Sequence, residues 1–190
     1  MVLLVDCSPK IKKSNSSKFI DRISNKLNEN IKICNIYYDD ILYVINLIKS
    51  SQKIIFVFPL YVDAPPSRLI FLFENLKKED FNNNSIYCIV NCGFLESDQN
   101  NIACEIVKCF CDENKIYYKG AFKIGSGEII GNFIGNNRIL EYFYLKKELK
   151  FINAIKQSNY IDIKFTIRLI PKWLFCILGN ISWKLKKDNK

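Results

Sequence analysis

Through its first 124 residues the chain alternates five times between a short apolar run and a segment whose apolar residues recur at helical spacing. Few folds accept that pattern. A strand followed by an amphipathic helix and another strand reads as a βαβ unit, whose crossover is right-handed and whose strands are parallel. Val2–Val5 is the first run, with Phe19, Ile20, Ile23 and Leu27 on the helix after it. Ile31, Ile33 and Ile36 alternate with polar residues, and Asp39 and Asp40 are good starters for a helix presenting Ile41, Leu42, Ile45 and Ile48. Ile54–Phe58 leads into a proline-punctuated loop. Pro66 then suits the first turn of a helix with Leu69, Ile70, Phe73 and Leu76. Ile86–Val90 precedes a helix expected to turn Ile102, Ile106, Val107 and Phe110 inward, and Tyr117–Ile124 reads as a weaker edge strand.

The first, third and fourth strands are apolar throughout, whereas the second and fifth are mixed. This is the burial pattern of a five-stranded parallel sheet ordered 2-1-3-4-5 with helices on both faces, a three-layer α/β sandwich. After Gly125 the pattern changes. A Gly-rich loop, a helix around Arg138–Gln157 and a basic, aromatic tail including Phe165–Leu185 follow. Residues 1–158 are read as the domain. Residues 159–190 are read as a helical, amphipathic appendage that packs on the domain or on a dimer partner.

The absence of histidine removes Ser-His-Asp and Cys-His catalysis and every His-containing zinc site. The eight cysteines form no CxxC pair, and most sit among apolar residues. They read as reduced, mostly buried thiols, with neither a metal nor an iron–sulfur cluster expected. The net charge of +9 fits a solvated lysine surface or attraction of anionic cofactors, a membrane or nucleic acid. No nucleic-acid motif accompanies it, so that partner is not expected. The start lacks the features of a signal peptide, and no eighteen-residue apolar stretch occurs, so the expected location is the cytoplasm.

In an open doubly wound sheet, ligands bind beyond the carboxyl ends of the strands where strand order reverses. Three loops meet that condition. The first, Ser8–Ser17, is rich in hydroxyls and cations and runs into a helix N-terminus. It suits either a phosphate or ordinary capping by Ser14 or Ser16. The second, Pro59–Asp63, is a stiff turn on which a flat heterocycle could lie, or a connection whose Tyr61 only packs. The third, Asn91–Glu96, pairs a glycine with Phe94, either for close ligand approach or as a tight turn over the core. One ligand with a phosphate and a flat ring would explain all three. Gly125-Ser126-Gly127 with Gly131 fails as a dinucleotide fingerprint, because Ile130 stands where the third glycine belongs, but the segment can border the same site. A receiver domain is excluded by Phe58-Pro59 at the place of its acceptor aspartate, and GxxxxGK[ST] is missing.

At these loops the sequence resembles the flavodoxin-like NAD(P)H-dependent oxidoreductases, including the NADPH-dependent FMN reductases, over roughly residues 1–130. Ser8-Pro9-Lys10 with Ser14-Asn15-Ser16 is similar to the family's phosphate motif. Pro59-Leu60-Tyr61-Val62-Asp63 followed by Pro66 and Leu69 is similar to its second flavin loop, and Asn91-Cys92-Gly93-Phe94-Leu95-Glu96 to the third loop of one branch. The resemblance implies a flavodoxin-like fold and noncovalent FMN. Ser8, Lys10, Ser14, Asn15, Ser16 and Ser17 would surround the phosphate, and Pro59, Leu60, Tyr61, Val62, Asp63, Asn91, Cys92, Gly93 and Phe94 would border the ring. Glu96 would orient substrate. NAD(P)H would be the co-substrate and a quinone, flavin or other small aromatic the acceptor, with no catalytic side chain required. Two departures stand out: the family's GGxxGG third loop and the cysteine cluster of its iron–sulfur relatives are both missing.

Two other readings remain. A flavodoxin-type electron carrier would normally be acidic with a TG-containing phosphate loop. A non-enzymatic membrane-surface or partner-binding module would use the tail, where Trp173, Phe175 and Trp183 mix with Arg168, Lys172 and Lys184. A homodimer is the expected assembly.

Overall fold

The computed structural model describes residues 1–10, 14–133 and 137–167. Six strands form one parallel sheet in the order β2-β1-β3-β4-β5-β6. They are β1 (Val2–Asp6), β2 (Ile31–Asn35), β3 (Lys53–Pro59), β4 (Ser85–Asn91), β5 (Tyr117–Ile124) and β6 (Ile161–Phe165). The helices are α1 (Asn15–Leu27), α2 (Ile41–Lys49), α3 (Ser67–Asn75), α4 (Asn101–Glu113), α5 (Gly127–Phe133) and α6 (Arg138–Gln157).

Two cores follow from strand alternation. Ile54, Phe56 and Phe58 of β3 join Leu3, Val5, Ile86, Cys88 and Val90 beneath α2, α3 and α4. Ile55 and Val57 join Val2, Leu4, Tyr87, Ile89 and Phe122 beneath α1 and α6. Both faces of the central strands are therefore buried, which is why β1, β3 and β4 are apolar at every inner position. Asp40 caps α2 by accepting from the amides of Leu42 and Tyr43, at 2.8 and 3.2 Å. Asp39 instead accepts from the Asn35 amide at the end of β2.

The sheet corrects the five-stranded expectation. Residues 161–165, assigned from sequence to the appendage, pair in parallel with Gly120–Ile124. β5 is therefore interior, not an edge. Gly120 makes the join possible. Its φ is +100°, and a Cβ there would fall 2.0 Å from the Ile161 carbonyl oxygen. A second correction concerns the segment after β5, expected as a loop, where Gly127–Phe133 is helical. A third concerns facing: Leu42 and Ile102 point to solvent, and Val44, Ala103 and Cys104 fill the positions beneath α2 and α4. The structure describes seven of the eight cysteines, all free and all but Cys109 buried. Burial pushes the thiols of Cys34, Cys104 and Cys111 up to about 12. The tail from Arg168 onward lies outside the described residues.

α6 is held on α1 by charge. The fully buried Glu148 carboxylate accepts from Arg22 at 2.9 Å and from Lys26 at 2.5 Å, and Arg22 also reaches Glu141 at 2.8 Å. The Arg22 guanidinium lies 5.1 Å from the Tyr144 ring centroid.

Candidate functional site

The first loop leaves β1 at Asp6, a buried carboxylate that accepts from the Ser8 amide at 2.9 Å. Burial pushes its pKa above the usual aspartate range, against the hydrogen bonds from Ser8 and Asn35. Ser8 is buried as well, and its Oγ accepts from the Lys10 amide at 3.3 Å.

Helix α1 starts because Ser14 Oγ accepts from the Ser17 amide at 2.9 Å, the geometry of an N-cap. Ser17 returns the contact by donating its hydroxyl to the Ser14 carbonyl at 2.8 Å. These two serines serve each other. Ser16 lies beneath them, buried, facing the end of β4. Asn15 faces α5, where a Cβ on Gly131 would lie 2.2 Å from Asn15 Oδ1. Lys18 Nζ donates to the Gly131 carbonyl at 2.8 Å. Lys18 is a cation one turn into α1 that the sequence reading did not single out. As first-turn groups, the amides of Asn15 and Ser16 have no partner within the helix.

The second loop is a two-residue hairpin. Tyr61 and Ala64 exchange backbone hydrogen bonds at 3.1 and 3.0 Å, with Val62 and Asp63 at φ of +49° and +59° between them. Both central residues at positive φ make a mirror-image turn, normally filled by Asn and Gly. Val62 is 99% exposed at its tip, and Tyr61 is partly exposed. Leu60 packs against the core beneath α3.

Asn91 closes β4 and opens the third loop. It is buried, and its Nδ2 donates to Ser16 Oγ at 3.3 Å and to the Phe58 carbonyl at 3.2 Å. Its own carbonyl accepts from the Leu60 amide at 2.8 Å. The Cys92 amide donates to the Ile124 carbonyl at 3.0 Å, and the Cys92 carbonyl accepts from the Gly127 amide at 2.7 Å. The Cys92 thiol, raised by burial, aims at the Phe94 and Glu96 carbonyls, so it is a spacer and not a nucleophile. Among the described residues, none beyond its chain neighbours comes within 4 Å of where a Cβ on Gly93 would stand, and Phe94 is exposed beside it. Glu96 leads into the 3-10 turn Ser97–Asn100, which Thr166 anchors through hydrogen bonds to Ser97.

The three loops thus come together at Asn91, which touches α1, the β3 exit and the β5–α5 corner at once. Sequence reasoning named most of these residues, and Ser126 within a segment able to border the site, but did not assign Lys18 or Asp6 to it. Ser126 has φ +53° and a buried hydroxyl with no partner among the described residues. The Gly125-Ser126-Gly127 run was its only signal. A groove of about 530 Å³ between α3 and α4 is lined by Ile70, Phe73, Ile102 and Phe110 and by no residue of the three loops.

Chemically, the strand ends offer first-turn amides and the Ser16 hydroxyl, with Lys10 and Lys18 on the same stretch of chain. This is a donor set for an oxyanion. Beside it lie an open space at Gly93 and apolar side chains at Leu60, Tyr61 and Phe94. The Asp6 carboxylate at the end of β1 opposes an anion there. The donor set fits a phosphate monoester attached to a flat apolar group.

No protein-family model matches the sequence, and no curated protein matches it. Solved structures match its fold over most of its length. An NADH:FMN oxidoreductase in its apo form superposes with a TM-score of 0.66, covering 83% of this chain and 89% of that one at 9% identity. A general stress protein 14 from Treponema denticola, in complex with FMN, gives 0.59 over 81% and 98% at 13% identity. An FMN-dependent NADH-azoreductase from Bacillus anthracis, in complex with FMN, gives 0.60 over 82% and 99% at 13% identity. At these identities the likeness is one of fold, and the fold is flavodoxin-like.

Proposed function

We propose that the chain is an FMN-dependent oxidoreductase that takes electrons from NADH or NADPH and delivers them to a small acceptor such as a quinone, a free flavin or another aromatic. The observation that carries this reading is the meeting of three ligand-type loops at Asn91, beside the N-terminus of α1 and at the point where strand order reverses. The fold neighbours named for FMN chemistry support it.

FMN, when bound, supplies the hydride chemistry. The chain's own residues bind, orient and shield. The Asn15 and Ser16 amides, the Ser16 hydroxyl and the ammonium groups of Lys10 and Lys18 hold the phosphate. Ser14 and Ser17 keep the helix start rigid, and the Ser8 hydroxyl braces Lys10. The Pro59–Asp63 hairpin and residues Asn91–Phe94 flank the ring, with Tyr61 and Phe94 limiting water at its exposed side. Glu96 sits at the outer end of the third loop, where it orients the nicotinamide or the acceptor. No protein acid or base is needed for hydride transfer, which accords with a chain that contains no histidine.

The test is direct. Purified full-length protein should show visible flavin absorbance or take up added FMN, and should oxidise NADH or NADPH steadily when a quinone is present. A colourless protein that binds no FMN would end this reading. A protein that binds FMN but turns over no nicotinamide would leave an electron carrier in its place.

A further inference from the structure

The Ser16 hydroxyl is held from behind. The Phe58 carbonyl oxygen can only accept, so the Asn91 side-chain atom facing it at 3.2 Å is the amide nitrogen. That same nitrogen lies 3.3 Å from Ser16 Oγ. Its second proton therefore points at a Ser16 lone pair, and both residues are buried. Asn91 is the one partner of the Ser16 hydroxyl among the described residues. A hydroxyl whose oxygen already accepts from a fixed donor keeps its proton for something else. That proton suits an acceptor such as a phosphate oxygen.

The carboxamide is itself wedged in place. A Cβ on Gly127 would come within 3.0 Å of both Asn91 Cβ and Asn91 Oδ1. The bare glycine at the β5–α5 corner is what leaves room for the Asn91 side chain to lie toward Ser16 and Phe58. Meanwhile the Asn91 backbone holds Leu60.

We propose that Asn91 is a positioning residue: by donating to Ser16 Oγ it aims the Ser16 proton at the ligand's phosphate, and so sets a preference for phosphorylated over unphosphorylated flavin. This rests on the FMN reading above. Asn91 acts on the phosphate through Ser16, although it lies on the loop that borders the ring.

The experiment compares FMN with riboflavin, which carries the same ring and no phosphate, on the full chain by fluorescence titration. A hydrogen bond to a charged group makes the expected loss of FMN affinity in N91A and in S16A about tenfold or more each. Riboflavin affinity should change less than about twofold in S16A, and in N91A it should fall at least about threefold less than FMN affinity does. The N91A/S16A double variant should bind FMN no more than about threefold more weakly than S16A, since two residues acting in series do not add. Equal losses for both flavins, unchanged FMN affinity, or additive losses would each overturn the proposal. Should N91A fail to fold, G127A serves instead, because it keeps both polar side chains and crowds the carboxamide. It should lower the FMN-to-riboflavin ratio when Ser16 is present and leave it unchanged in the S16A background, and the opposite pattern overturns the idea. A wild-type chain that takes up neither flavin refutes the underlying reading, and does so before any substitution is made.

Discussion

Val62 holds a backbone conformation that a β-branched side chain rarely adopts. Its φ of +49° forces Cβ toward the following carbonyl, and its nearly full exposure means no packing offsets the strain. Val62→Asn should therefore stabilise the protein by about 1 kcal/mol, because Asn tolerates this region and the turn's two backbone bonds are untouched. A urea midpoint that rises with an unchanged slope would bear this out, and an unmoved midpoint would mean the turn is relaxed. The strain lies at the tip of a loop flanking the candidate ring site, so the same variant should weaken ring binding if Val62 is held there for contact. At this scale the sequence was legible in kind and not in detail. Ser14, Ser16 and Ser17 are chemically alike, and either capping or phosphate binding suited them. Their roles part only once the helix start is fixed to the residue: Ser14 and Ser17 satisfy each other, and Ser16 turns inward to Asn91.

Helix α6 docks on α1 through a buried carboxylate, and this junction is brittle. Glu148 is fully buried between Arg22 and Lys26. Glu148→Ala would leave Lys26 without its acceptor and Arg22 with Glu141 alone, at a cost of about 3 kcal/mol or more. Chemical denaturation of the variant against wild type measures it, and a loss under about 1 kcal/mol would mean the pair behaves as a surface ion pair. The elements easiest to read in the sequence were those with one buried fate. β1, β3 and β4 are covered on both faces and apolar through their interiors, Val2–Val5, Ile54–Phe58 and Ile86–Val90. α4 is harder, because isoleucine is the larger and more apolar side chain, yet Cys104 and Cys111 are buried and Ile102 is not. α5 reads as a loop in the sequence because Gly127 and Gly131 punctuate it. Both glycines answer to close neighbours, Asn91 and Asn15. β6 was absorbed into the tail because Ile161-Asp162-Ile163-Lys164-Phe165 is short and half charged. Those charges mark an edge strand: Asp162 pairs with Lys123, which also donates to Asn101 at the start of α4, and Lys164 pairs with Asp98.

Where the folded unit ends is a question for the whole molecule. The sequence placed the boundary at 158, yet the sheet continues to Phe165 and the core to Ile167. Phe165 meets the Tyr144 ring edge-on at 5.3 Å, and Tyr144 lies 5.5 Å from Phe122, so β6 helps to seal the apolar underside of α6. Its last residue accepts from the Gly125 amide, and Thr166 pins the turn before α4, so the strand also braces two loops at the candidate site. A chain ending at 158 would leave β5 as an open edge and expose Phe122 and Tyr144. Ile163, Phe165 and Ile167 are each nearly fully buried. At about 1.5–3 kcal/mol apiece, their loss approaches the whole stability of a domain this size. The chain cut after 158 should therefore fail to fold cooperatively or should aggregate, whereas the chain cut after 167 should melt as a single transition. Calorimetry on the two truncations decides between them. If the shorter chain unfolds cooperatively with near wild-type stability, β6 is an ornament on a five-stranded sheet. If only the longer one does, the sixth strand is part of the unit that positions the loops.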